Sequence, residues 1–133
     1  MLEELDIREA WPTIRPGLAR LEDRFEPDWR GEDVYHACRA GEAHCFANVL
    51  SGEFVILTPR TNEYTLEKEL FVWIAWSPDP LAQDKYLDQL EDIARGIGAV
   101  KLIMRSPRRG FLRSRNWTPR FTEFERDLTD ERT

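Results

Sequence analysis

The sequence predicts an α/β fold in which a mixed sheet carries helices on both faces, in the order α-α-β-β-β-α-β-α-β. Two observations predict it. The first thirty residues repeat apolar side chains at spacings of three and four, the signature of one helical face. The stretch from Glu69 to Leu128 then reads as apolar strand (ELFVWIAW), loop (SPDPLAQD), amphipathic helix (KYLDQLEDIARGIG) and apolar strand (AVKLIMR). Strand, helix and strand within some thirty-five residues form a βαβ unit, whose two strands run parallel with a right-handed crossover.

Each element has its own warrant. Asp6 is placed to cap a first helix, with Ile7, Trp11, Ile14, Leu18, Leu21 and Phe25 along one face. Pro12 and Pro16 each remove an internal hydrogen bond, so a kink or split is expected there. A short second helix starts at Glu32 or Asp33 and stops at Gly41. HCFANVL and EFVILTPR are strands of a hairpin turning at Ser51-Gly52. A third strand covers about Glu67 to Trp76, and its unbroken apolar core suits a sheet covered on both sides. Ser77 or Asp79 caps the long helix, Pro80 fits its first turn, and Leu81, Leu87, Leu90, Ala94 and Ile97 line one face. Ala99 to Met104 is a buried strand, Ser106-Pro107 opens a short helix to Arg115, and Arg120 to Leu128 forms a last strand.

Composition bounds the class. A chain of 133 residues, 41% apolar and 33% charged, is expected to form one globular domain over 1–133, with an acidic tail from about 129. Five Trp and seven Phe supply core bulk and material for an exposed patch. No apolar run reaches membrane-spanning length, and the acidic start has no signal-peptide pattern, so a cytoplasmic place, or one inside a virion, is expected. Cys38 and Cys45 read as reduced thiols; with His36 and His44 nearby they match no common zinc spacing, and no metal is expected. Net charge is −6, yet it is polarised: residues 1–33 carry ten acids against five arginines, whereas 101–120 carry seven basic residues and no acid. Only three of nineteen basic residues are lysine, a bias that suits bidentate contacts and also follows from GC-rich coding.

The element order ELFVWIAW, SPDPLAQD, KYLDQLEDIARGIG, AVKLIMR, SPRRGFLRSR, NWTPRFTEFERDL resembles the GCN5-related N-acetyltransferase (GNAT) fold, over about nine tenths of the chain. The resemblance extends to phage-encoded GNAT-like proteins carried inside the heads of short-tailed phages. It implies that acetyl-CoA would sit where the two parallel strands part, its pyrophosphate on a glycine-containing loop at the helix N-terminus. In this chain the matching segment is Pro78-Asp79-Pro80-Leu81-Ala82-Gln83-Asp84: it has no glycine, two prolines without N–H groups and two aspartates. The family's usual tyrosine on the last short helix falls near Arg113, where no tyrosine stands.

Three functions remain open on this reading. The leading expectation is a degenerate, non-catalytic protein used for protein–protein contact, its most specific version a phage-encoded virion or virion-associated protein, with no cofactor. Its partners would be other subunits or copies of itself, held through Arg108, Arg109, Arg113, Arg115, Trp29 and Trp117. The alternative is an acetyl-CoA-dependent N-acetyltransferase, for which the resemblance implies Glu69 as base, main-chain groups of Ile74, Ala75 and Trp76 on the pantetheine, and Arg108 or Arg109 on phosphate. The third is a small nucleic-acid binder using the arginines with Phe111, Trp117 and Phe121, disfavoured by the overall acidity.

Overall fold

The computed structural model describes residues 1–79, 85–105, 117–120 and 123–129. Its elements are β1 (Glu3–Leu5), α1 (Ile7–Phe25), α2 (Gly31–Arg39), β2 (His44–Ala47), β3 (Phe54–Thr61), β4 (Lys68–Trp76), α3 (Leu87–Gly96) and β5 (Lys101–Met104). The five strands form one sheet in sequence order. The first four pair antiparallel, and β4 pairs parallel with β5. The α/β class, the mixed sheet and helices on both faces are therefore as the sequence predicts.

Two apolar layers hold the helices. Ile7, Ala10, Ile14 and Leu18 of α1 and Val34 of α2 pack on Cys45, Ala47, Phe54, Ile56 and Ile74 on one face of the sheet. Leu90 and Ala94 of α3 pack on Val55, Leu57, Leu70 and Val72 on the other. The alternation Phe54/Ile56 against Val55/Leu57 is the period-two pattern of a strand covered on both sides. Two glycines set helix ends. Gly41 (φ +78°) and Gly98 (φ +80°) take the left-handed position after α2 and α3, and each closes a pair of capping bonds: Gly41 N–H to Cys38 and Glu42 N–H to Ala37, Gly98 N–H to Arg95 and Ala99 N–H to Ala94.

Several expectations are corrected. α1 is a single 19-residue helix through Pro12 and Pro16. Both prolines lie on its exposed side, where the carbonyls they leave unbonded face water, while Ile14, Gly17 and Leu18 stay buried. Asp6 does cap it, accepting the Arg8 N–H at 2.8 Å. α2 starts earlier, at Gly31, with the Arg30 N–H donating to the Asp33 carboxylate. β2 ends at Ala47 because Asn48 turns the chain, its side chain accepting from the Leu50 and Ser51 N–H groups. Strand β1 was not expected; it adds an edge to the sheet through Glu3↔Ala47 and Leu5↔Cys45. α3 begins at Leu87, not at Ser77 or Asp79; the Asp79 N–H instead donates to Ser77 Oγ. Residues 123–129 form no strand, so the last strand expected over Arg120–Leu128 is not made there. The short helix expected over 106–115 lies outside the described residues. Among the described residues, no helix is long and apolar enough to cross a membrane.

Candidate functional site

β4 and β5 stay together for only four pairs, Glu69↔Lys101 to Val72↔Met104. β4 then runs on to Trp76. At the same point its register with β3 slips: Leu57 faces Val72, but Ile56 faces Ile74, which leaves Trp73 as the extra residue of a bulge. A bulge bends and over-twists its strand, and this one lies where the β5 pairing ends. The region beside Trp73–Trp76, past the last β4–β5 pair, is referred to below as the wedge. Among the described residues no strand pairs with Trp73–Trp76 on the β5 side.

Both tryptophans of the wedge pack on the α1 side of the sheet. The Trp76 ring stacks on Phe54 with centroids 6.2 Å apart at 24°. Trp73 packs against the same α1/α2 cluster.

Among the described residues two carboxylates are buried, one at each end of the β4 path. Glu69, 5% exposed, begins the paired section; Arg120 Nη2 lies 2.9 Å from its Oε2 and Arg60 Nη2 3.8 Å from its Oε1. Arg60 also stands over the Phe71 ring at 4.3 Å. Glu53, 2% exposed, lies at the other end. It accepts from Ser77 Oγ (2.7 Å), Ser51 Oγ (2.9 Å), Lys85 Nζ (3.0 Å) and Tyr86 Oη (2.5 Å). Burial would raise this carboxyl, but the four donors outweigh it and hold the pKa down at about 2. Lys85 is raised by its bond to Glu53, and Tyr86 is raised by burial and by the same carboxylate. Ser77 leaves β4 and Lys85-Tyr86 leads into α3, so one carboxylate ties both ends of the connection at the wide end of the wedge.

The sequence-predicted residues fall as follows. Ile74, Ala75 and Trp76 form the open edge itself. Glu69 lies on the same strand, three residues before the last pair, while Glu67 is exposed. Arg108, Arg109, Arg113 and Arg115 lie outside the described residues. Trp29 is half-buried against the α1/α2 core rather than an exposed anchor, and Trp117 is also partly buried. Cys38 and Cys45 are free thiols; burial pushes Cys38 up to about 11 and Cys45 up to about 12, so neither is a ready nucleophile. Among the described residues no three metal-ligating side chains gather. The Glu53 cluster was missed. Its donors from the wedge side lie 24, 32 and 33 residues along the chain, beyond any local pattern.

No protein-family model matches the sequence, and no curated protein does. Solved structures do. A ribosomal-protein-alanine N-acetyltransferase from Brucella melitensis biovar Abortus 2308 superposes with TM-score 0.64 at 20% identity, over 93% of this chain and 99% of that one. An aminoglycoside acetyltransferase from an uncultured soil metagenomic sample, solved with sisomicin, gives 0.68 at 10% identity over 96% and 95%. A Trypanosoma brucei acetyltransferase gives 0.61 at 15% over 96% and 99%. The described residues have a GNAT-like fold. The leading expectation of a non-catalytic contact or virion protein is overturned: the three structures named, which match over nearly the whole chain, are of acetyltransferases, and nothing in the comparisons points to a virion or contact protein.

Proposed function

We propose that this chain is an acetyl-CoA-dependent N-acetyltransferase acting at the wedge between β4 and β5. The observation that carries the reading is the main-chain edge of Trp73–Trp76, which no described strand pairs on the β5 side and which starts at the bulge where β5 pairing stops. The edge fits the pantetheine arm of the cofactor. That arm contains two amides, and an unpaired strand edge is the natural partner for extended amides. Acetyl-CoA, when bound, supplies an acetyl thioester: the amine lone pair makes the new C–N bond, the C–S bond breaks with its electrons on sulfur, and the sulfur ends as a thiol with the proton the amine has lost.

The protein's own groups have three tasks. Main-chain groups of Ile74, Ala75 and Trp76 hold the arm extended along β4. The stacked Phe54–Trp76 pair keeps that edge straight against α1. Glu69, fixed by Arg120 and Arg60, is the carboxylate that would accept the amine proton; it sits about 10 Å of strand before the mouth, so the proton travels through water.

The test is thermal melting with and without 1 mM acetyl-CoA. A dissociation constant near 10 µM should stabilise the fold by about 2.7 kcal/mol. Thiol release against a panel of primary amines then reads turnover. Neither a melting shift nor thiol release would sink the reading. Glu69→Gln is expected to lower kcat at least tenfold while leaving the acetyl-CoA dissociation constant unchanged. An unchanged kcat would reduce Glu69 to a structural partner of its arginines.

A further inference from the structure

We infer that the diphosphate end of the cofactor is held from the α1 side, by Arg20 and Arg24 in the cavity that adjoins the end of β4; this rests on the acetyl-CoA reading. The cavity has a volume of about 400 Å³ and is lined by Arg20, Asp23, Arg24 and Phe25 from α1 and by Trp76 and Ser77 from β4 and its exit. Arg20 and Arg24 are one helical turn apart, so both guanidinium groups project from the same side of α1. Both are exposed, and among the described residues neither belongs to an ion pair. Arg24 lies over the Phe25 ring at 5.1 Å. Asp23 is the one carboxylate in the lining, and it leaves the cavity with net positive charge.

Position makes the ligand class specific. An extended arm lying along Trp73–Trp76 covers about 13 Å of strand and ends at Ser77, where this cavity opens. The next group of the cofactor beyond the arm is the diphosphate. The first residues after Ser77 offer an anion little: Pro78 has no N–H, the Asp79 N–H is already used on Ser77 Oγ, and the Asp79 side chain is acidic. The donors Lys85, Ser77 and Tyr86 are spent on Glu53. The two guanidinium groups of the cavity, without an ion-pair partner among the described residues, supply the bidentate, charge-assisted contacts that phosphate oxygens require.

The experiment is isothermal titration of the intact protein and of an Arg20→Ala/Arg24→Ala double variant, each with acetyl-CoA and with phosphate-free S-acetyl-pantetheine. Both arginines are solvent-exposed, so the variant should keep the parent melting temperature within about 2 °C. Acetyl-CoA affinity should fall at least tenfold in the variant, while S-acetyl-pantetheine binds both proteins equally. Inorganic pyrophosphate should compete with acetyl-CoA on the parent and lose that effect on the variant. Equal acetyl-CoA affinity in parent and variant overturns the cavity assignment and leaves the acetyl-transfer reading standing. A parallel loss of both ligands also overturns it, since the arginines would then act on the wedge as a whole. A parent that binds neither thioester defeats the acetyl-transfer reading itself, and the inference falls with it.

Discussion

Glu53→Ala is expected to destabilise the protein by about 4 kcal/mol and to lower its melting temperature by roughly 12 °C. The carboxylate is almost wholly buried and receives four side-chain donors from three separate segments: the turn before β3, the exit of β4 and the entry to α3. Hydrogen bonds to a charged group are worth about 1.5–3 kcal/mol each in gross terms, and the cost of burying the charge offsets part of their sum. Removing the acceptor leaves Tyr86 and Ser77 with unsatisfied donors, whereas Lys85, half exposed, can turn to water. The same cluster makes the fold acid-sensitive. The Glu53 carboxyl is held at about 2 in the folded chain against an ordinary 4.5, so its stabilisation is fully present above the ordinary value and is lost as pH falls through it toward 2. The linkage is worth on the order of 3 kcal/mol. Urea melts of the parent and of Glu53→Gln between pH 7 and pH 3 would show it: the parent should lose more stability below pH 4.5 than the variant. Parallel pH profiles would remove Glu53 as the acid-sensitive group.

How much of this could be read beforehand follows from which contacts are local. ELFVWIAW, EFVILTPR and the α1 face announce themselves because strand and helix periods are properties of a few neighbouring residues. The βαβ unit, and with it the open edge at Ile74–Trp76, follows from element order and the handedness of crossovers. The bulge at Trp73 does not, since it is a mismatch of register between β3 and β4 and neither strand encodes it alone. β1 is three residues of acidic and apolar sequence whose pairing depends on β2 some forty residues later. Pro12 and Pro16 predict a kink or split in α1, but the burial of Ile14, Gly17 and Leu18 against the sheet outweighs two missing bonds on the wet side. Function was misread for a related reason. Proline and aspartate in 78–84 argue against the family's usual pyrophosphate loop, and that is a judgement about one loop. The cavity with Arg20 and Arg24 is assembled from α1 and β4, more than fifty residues apart, and no scan of the loop contains it.

Gly17→Leu is expected to cost about 3 kcal/mol, because α1 and β4 meet there with no room for a side chain. A Cβ on Gly17 would fall 2.8 Å from Phe54 Cε1 and 2.8 and 2.9 Å from Trp76 Cδ2 and Cε3. These are ring atoms of the stacked Phe54–Trp76 pair, with no flexible end to give way. Helix propensity pulls the other way, since any ordinary residue gains up to about 1 kcal/mol over glycine inside a helix. For Gly17→Ala the two effects nearly cancel, leaving about 1 kcal/mol of destabilisation, whereas leucine adds three more carbons to a site already below contact distance. Relief of the clash tells packing from propensity. In a Trp76→Leu background Gly17→Ala should become neutral or stabilising, a coupling of at least 1 kcal/mol in a double-mutant cycle read by urea melts. Additive effects, or a Gly17→Ala variant more stable than its parent, would mean that α1 stands back from the sheet. The same contact ties stability to the wedge: a helix pushed outward at Gly17 carries Arg20 and Arg24 away from Ser77, so acetyl-CoA affinity should fall with the fold's stability in Gly17→Leu, at temperatures where the variant is still folded.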